Sequence, residues 1–245
     1  MSLSLAKIGG ASALLACALM IAGIPALLFF YLKNPVPLGQ SLSQTLSNVD
    51  ASSVNYWMAL HLFQALFLLL AIPALWSSTA SLKSSDESLS TWALVAGVTA
   101  LVSAALLMMW KGSVEVVMMK AYLSSLQQGT PPDALVALSQ RLDVVSTTLK
   151  SVSLLIILWA ILFAVGVVRS GAFPSWMGIL GLFMIPAVGP FTPAGLVWLL
   201  PSGPLLMRGN GSHAPKNGAA HRASGRKRSA GRWRQPTESG DIESP

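Results

Sequence analysis

The chain has 245 residues, of which 53% are apolar and 10% are charged, and its mean hydropathy is +0.62. So few charges cannot coat a water-soluble globule of this length, which argues against a soluble enzyme. The net charge of +7 resides mostly in the tail: residues 1–207 hold eight Lys or Arg against six Asp or Glu, whereas residues 208–245 hold eight against three. The composition therefore predicts a membrane protein with a basic C-terminal tail.

Four uncharged stretches are long enough to cross a bilayer, whose hydrocarbon core takes about 20 helical residues. They are residues 8–32, 56–76, 91–110 and 151–168. Tryptophans mark the ends of the second and third stretches, at the depth where amphipathic rings prefer the headgroup layer. Backbone groups in lipid must be satisfied within a segment, and the alternating pattern of a membrane barrel is missing. The predicted fold class is therefore all-α, a polytopic transmembrane helical bundle.

The first stretch also has features of a cleaved lipoprotein signal. Lys7 precedes the apolar run, and Leu14 to Cys17 has the form of the box before a lipid-modified cysteine. Lipoproteins usually continue with polar residues, whereas the apolar run here extends well past Cys17. This continuation favours a retained first helix over lipidation.

Two stripes of small residues are suited to close helix packing in lipid. They are Gly9, Ala13 and Cys17 in the first helix, and Ala96, Ala100 and Ala104 in the third. We interpret both stripes as packing faces within one chain, with dimerisation as the alternative.

His61 and Gln64 form the most polar pair inside a predicted span, one helical turn apart in the second helix. An ionisable residue inside the membrane is a candidate functional site. Both positions lie within two turns of Tyr56 and can reach the interface. A hydrogen bond between helices is therefore the favoured interpretation, and a polar intramembrane site is the alternative.

The connection 111–150 repeats the helical spacing on both sides of the breaker at Gly129. Apolar stripes lie at Val116, Met119, Leu123 and Leu126 before it, and at Leu135, Leu138, Leu142, Val145 and Leu149 after it. Each amphipathic stripe needs an apolar partner. We therefore expect the third and fourth helices to extend beyond the membrane as an antiparallel pair, either a self-packed spacer or a surface for a protein partner.

The fourth helix ends in a recognisable connection, residues 166–178, with Arg169-Ser170-Gly171 followed by Pro174. Arg169 suits the negative end of the helix dipole, and Gly171 can take the left-handed cap. This pattern resembles the bacterial membrane family called domain of unknown function 4386, and the order and spacing of residues 1–207 are similar to it. Ser175 departs from the basic residue common in that family. The resemblance implies six helices with both ends cytoplasmic, and it implies no known activity.

Residues 176–207 are too many for one straight crossing, and prolines interrupt them. The alternatives are one kinked helix or two short helices, 176–188 and 192–207. Counting basic residues on each side favours five passes, with the N-terminus outside. The 40-residue connection weakens that count, and together with the resemblance this leads us to expect six passes.

The tail, residues 208–245, is too polar to bury a core and should be disordered and cytoplasmic. Its cationic cluster with one aromatic could contact anionic lipid headgroups, although a topology anchor with no other role is the favoured interpretation. The cluster consists of Arg222, Arg226, Lys227, Arg228, Arg232, Trp233 and Arg234. Specific nucleic-acid binding is not expected, because the tail has no predicted structure that could recognise bases in a nucleic-acid groove.

No catalytic constellation, metal site or cofactor motif is found in the sequence. Cys17 is the sole cysteine and His61 the sole membrane-embedded histidine, which excludes a bis-His haem and a thiolate cluster within one chain. The leading hypothesis is a non-enzymatic accessory or interaction component of the bacterial plasma membrane. The alternative is a small permease using His61, Gln64 and the broken helices at 186–193. The third hypothesis is an enzyme that acts on lipids, and only Glu115 and the polar first loop favour it.

Overall fold

The computed structural model describes residues 4–33, 42, 46, 53–83, 86–130, 132–188 and 192–208. All regular structure within these ranges is helical, with no strand. The predicted cationic tail, apart from its first residue, lies outside the described residues. The all-α prediction is confirmed.

Nine α-helices and two irregular helical turns make up the described chain. The α-helices are α1 (Leu5–Lys33), α2 (Ser53–Ala80), α3 (Glu87–Trp110), α4 (Val116–Gln127), α5 (Asp133–Ser153), α6 (Leu155–Ser170), α7 (Trp176–Gly181), α8 (Met184–Ala187) and α9 (Leu196–Arg208). A π-helical turn, Lys111–Glu115, joins α3 to α4, and a 3-10 turn, Thr192–Gly195, precedes α9.

Four helical segments are long and apolar enough to cross a membrane. They are Leu5–Pro25, Val54–Ala80, Glu87–Gln127 and Asp133–Ser170. The last two have 41 and 38 residues, about twice what the hydrocarbon core requires. The excess is the predicted extension of the third and fourth helices. The final predicted passes are shorter helices, so the count of six remains a prediction.

The face that α5 buries differs in part from the predicted stripe. Leu138 and Val145 are 44% and 39% exposed. The buried side instead alternates partly buried leucines with buried serines: Leu135, Ser139, Leu142, Ser146, Leu149 and Ser153. This spacing of four and three residues is that of a left-handed helix pair. Serines fit it because they are small and because two of them donate to carbonyls three residues back, Ser139 to Val136 and Ser153 to Lys150, both at 2.7 Å.

The connection after the fourth predicted span folds as expected. Gly171 takes φ +62°, which L side chains rarely adopt, and its N–H donates to Val167 O at 3.1 Å. Arg169 lies 3.8 Å from the Asp86 carboxylate. Asp86 in turn caps α3 by accepting from Leu89 N at 2.9 Å. The arginine and glycine therefore end one helix and tie it to the start of another.

Small residues bring the helices together, as the two stripes predict. Ala13 is fully buried and Cys17 is 2% exposed, and the alanines of the second stripe are at most 4% exposed. Gly9 lies so close to α2 that a Cβ on it would be 2.8 Å from Pro73 O. Close backbone approach of this kind is the main source of helix association in lipid.

Replacing Gly9 with valine should therefore push α1 away from α2, because the added atoms meet the Pro73 carbonyl oxygen and the Cβ of Ser77, whose positions the backbone of α2 fixes. We expect a loss of about 1–3 kcal/mol in the free energy of unfolding, measured by SDS titration in mixed micelles. Ala11→Val is the matched control, since Ala11 lies on the exposed side of the same helix. Equal losses in the two variants would contradict the packing.

Candidate functional site

A cluster of charged and aromatic side chains surrounds the π-helical turn where α3 leaves the predicted span. The ammonium of Lys111 lies 3.7 Å from the carboxylate of Glu115, and their side chains are only 15% and 4% exposed. Lys111 Nζ also lies 5.7 Å from the centroid of the Trp57 ring. The ion pair is therefore desolvated, and an aromatic face supports its cation.

The returning helix α5 completes the cluster. Asp143 and Lys150 interact electrostatically with both Lys111 and Glu115. These interactions link α5 to the π-helical turn at the end of α3.

The first loop also contacts this cluster, because Asp143 Oδ1 accepts a hydrogen bond of 3.0 Å from the backbone N–H of Leu42. Leu42 and Leu46 are 3% and 1% exposed, and they belong to an apolar cluster with Val116 and Met119. The charged cluster and the apolar contacts together attach the first loop to the helical projection, which we define as residues 111–150.

Replacing Asp143 with alanine should release this attachment. A hydrogen bond to a charged group contributes about 1.5–3 kcal/mol, so we expect amide exchange at Leu42 to accelerate about 10- to 100-fold. Hydrogen exchange with mass spectrometry measures this rate. The Asp143→Asn variant keeps an oxygen acceptor, so its exchange rate should lie between those of the wild type and the alanine variant. An unchanged exchange rate in the alanine variant would show that the leucines alone hold the loop.

The predicted pair in the second helix is buried, with His61 7% and Gln64 4% exposed. The His61 ring is bound locally: Nδ1 lies 2.8 Å from Trp57 O, and its ring centroid is 4.5 Å from that of Trp57. This hydrogen bond lies within α2. We expected His61 to bond to another helix, and the structure shows a bond within its own helix instead. The structure thus places His61 next to Trp57, and through Trp57 next to Lys111.

The charged cluster lies at the π-helical turn, which is in close contact with α2. A Cβ on Gly112 would lie 3.1 Å from Leu62 Cγ and 3.2 Å from Met58 O, so α2 passes directly against the turn. Single π-helical turns within α-helices are frequent at functional sites. The wider turn carries Lys111 and Glu115, which makes this region the strongest candidate site near the membrane surface.

Sequence reasoning considered Glu115 alone and missed its partners. The spacing of Lys111 and Glu115, four residues apart on a helix, is a readable signal for an ion pair. The contribution of Asp143 depends on where α5 returns. No local pattern gives that register. For the predicted lipid contacts, Arg222 to Arg234 lie outside the described residues.

The cluster is suited to holding structure in place. The Lys111 ammonium faces the Glu115 carboxylate, so these two charges compensate each other. Among the described residues, no three His, Cys, Asp or Glu side chains come together as a metal site requires. The geometry is that of a clamp between three segments: α3, α5 and the first loop.

Comparison with known proteins identifies a family. The family model described as Domain of unknown function (DUF4386) matches residues 11–205. No curated protein and no solved structure matches the chain. The match covers the first long helix from residue 11 onward, the other three long helices and the Arg169-Ser170-Gly171 connection. The chain therefore belongs to the DUF4386 family, and its four long apolar helices are those of a membrane protein.

Proposed function

We propose that this protein is a non-enzymatic accessory component of the bacterial plasma membrane, with both termini in the cytoplasm. In this role it presents the helical projection to a protein partner on the opposite side of the membrane. The observation that carries the proposal is the continuity of two helical segments of 41 and 38 residues, about twice the membrane requirement. A rigid projection of about 25 Å has no use in merely crossing the bilayer.

The contacts at the base of the projection support this role. Lys111 and Glu115 pair with each other at this base, and Asp143 holds the first loop by accepting from the backbone N–H of Leu42. Pairs of buried charges contribute geometric definition more than stability. A surface held in one orientation pays less ordering entropy when a partner binds.

The outer surface of the projection combines apolar and cationic side chains. Leu138 is 44%, Val117 66% and Leu126 51% exposed. Lys120 and Arg141 are exposed near them. An apolar contact bordered by cations fits a protein surface that carries carboxylates.

Photo-crosslinking in intact membranes tests the partner. A photoreactive phenylalanine at Leu138 should form a defined adduct with another protein, which mass spectrometry then identifies. Ser139 is the matched control, since it adjoins Leu138 in sequence and is fully buried. Adducts from Leu138 that match those from Ser139 would contradict the proposal. An adduct with the mass of two 25.8 kDa chains would identify the partner as a second copy of this chain.

A small permease is the second candidate. The final helices are interrupted, as in transporters, where broken helices line binding sites. Thr192, at this interruption, is 0% exposed, and its hydroxyl has no hydrogen-bond partner among the described residues. A buried hydroxyl in this state is the specific observation that favours the second candidate.

A further inference from the structure

The helices α1 and α9 meet at one end of the bundle. A Cβ on Gly203 would lie 2.9 Å from Leu14 Cγ. One turn earlier in α1 and one turn later in α9, a Cβ on Gly10 would lie 3.1 Å from Met207 N. The two helices therefore run antiparallel in close contact, so the start of α1 lies beside the end of α9.

Two exposed cations lie at this junction, Lys7 and Arg208, and we call the place the terminal corner. Lys7 precedes Gly10 by one helical turn, and Arg208 directly follows Met207. Residues three apart on a helix share a face, so Lys7 lies on the side of α1 that faces α9, beyond the last contact. Two long basic side chains on neighbouring helices can therefore approach one anion together.

The terminal corner lies at the level of a headgroup layer. A Cβ on Gly9 would lie 2.8 Å from both Pro73 O and Ser77 Oγ, so the start of α1 is level with the end of α2. Trp76 adjoins Ser77 and is 46% exposed, and an exposed tryptophan at the end of an apolar span marks the interface. Lys7 lies two residues, about 3 Å, beyond Gly9 on the outer side. Its ammonium therefore reaches the depth of the lipid phosphates.

No acidic side chain among the described residues pairs with either cation. Lys83 and Arg169, at the same end of the bundle, each have a carboxylate partner. The ion pairs found within the described ranges include neither Lys7 nor Arg208. The chain that continues from Arg208 is itself cationic, since residues 208–245 hold eight Lys or Arg against three Asp or Glu. The terminal corner therefore has a net positive charge to offer an anion.

Two uncompensated cations at phosphate depth fit an anionic lipid. Each Lys or Arg near an anionic leaflet raises affinity about fivefold, and arginine binds phosphate oxygens through paired N–H donors. We propose that Lys7 and Arg208 bind the phosphate of an anionic phospholipid headgroup at the terminal corner. The exposed apolar face of α1, where Ile8 is 43% and Leu15 57% exposed, receives the acyl chains. This inference goes beyond the accessory role and does not depend on any partner of the projection.

Native mass spectrometry of the full-length protein in detergent tests the site, with phosphatidylglycerol and phosphatidylcholine of the same acyl chains as probes. Phosphatidylglycerol should bind more tightly by about tenfold or more. The variant Lys7→Gln/Arg208→Gln should weaken its binding about 20-fold, through two factors of about five, and change the binding of phosphatidylcholine much less. Both positions are exposed, so the variant should fold normally. Equal affinities for the two lipids, or an unchanged affinity for phosphatidylglycerol in the variant, would overturn the proposal.

Two controls separate the terminal corner from net charge and from a free anion. Lys120→Gln/Arg141→Gln removes the same two charges from exposed positions on the helical projection, so it should keep most of the affinity. Equal losses in the two double variants would assign the binding to net charge and contradict the site. Millimolar ammonium phosphate should displace no more lipid than ammonium acetate of equal ionic strength. Selective displacement by phosphate would make the free anion the ligand and would overturn the lipid assignment.

Discussion

Replacing Glu115 with glutamine should lower the free energy of unfolding by about 3–5 kcal/mol, because the substitution leaves the Lys111 ammonium buried without its carboxylate. Glu115 is 3% exposed and the Lys111 side chain 15% exposed, so water screens this pair little. SDS titration in mixed micelles, followed by tryptophan fluorescence, measures the loss.

The protein offers a matched control for this experiment. Lys83 and Glu87 form another Lys–Glu pair at the same spacing, 2.7 Å apart, with side chains 62% and 69% exposed. Glu87→Gln should cost about 0–1 kcal/mol, since water screens that pair. The double variant Lys111→Met/Glu115→Leu should recover most of the stability lost in Glu115→Gln. Equal effects of Glu115→Gln and Glu87→Gln would show that burial does not govern the first pair.

Replacing Trp159 with alanine should cost about 3–5 kcal/mol, through the cavity left in the bundle. The Trp159 ring is fully buried between Phe163, stacked at 5.0 Å, and Trp198, edge-on at 5.3 Å. Its indole N–H donates to Thr79 Oγ1 at 3.1 Å. One side chain therefore joins α6, α9 and α2, and its loss should loosen all three.

Two further variants divide this effect into its parts. Trp159→Phe keeps a ring in the aromatic cluster and loses the hydrogen bond to Thr79, so it should cost much less than the alanine variant. Trp92→Ala removes a ring that is 64% exposed and should change the free energy of unfolding least. The packing account fails if Trp159→Ala is no more destabilising than Trp92→Ala.

The long helices could be predicted from the sequence because each is specified locally. A run such as 56–76 contains no charge, and lipid allows such a run to be only a helix. The left-handed cap at Gly171 could be predicted equally well, since a helix followed by Ser-Gly and a nearby proline commonly ends on a left-handed residue. The structure confirms both features at those residues.

The face of α5 was predicted only in part, because apolar spacing alone cannot show how closely two helices approach. Leu138 and Ser139 are both near the predicted stripe, yet the leucine is exposed and the serine is buried. The buried position favours a small side chain whose hydroxyl is satisfied within its own helix, as that of Ser139 is by Val136 O. Periodicity identifies the apolar residues, but it does not show that a buried position will prefer a small serine to a leucine.

The charged cluster could not be predicted as a unit. Lys111 and Glu115 are adjacent on one helix turn, but Asp143 reaches them only through the register of the antiparallel pair. Its bond to Leu42 joins residues about a hundred positions apart, with no pattern that relates them. Long-range contacts of this kind come from packing, which is why the strongest site near the membrane surface emerged from the structure.

Carbonate extraction tests the central claim most directly, namely that lipid is the solvent for most of the described helices. Detergent-free lysate from cells that express the full chain is treated at high pH and centrifuged at high speed, and the protein is followed by immunoblotting. A chain that crosses the bilayer with four helices should remain in the pellet and become soluble only after detergent is added. Recovery in the carbonate supernatant would contradict the membrane assignment.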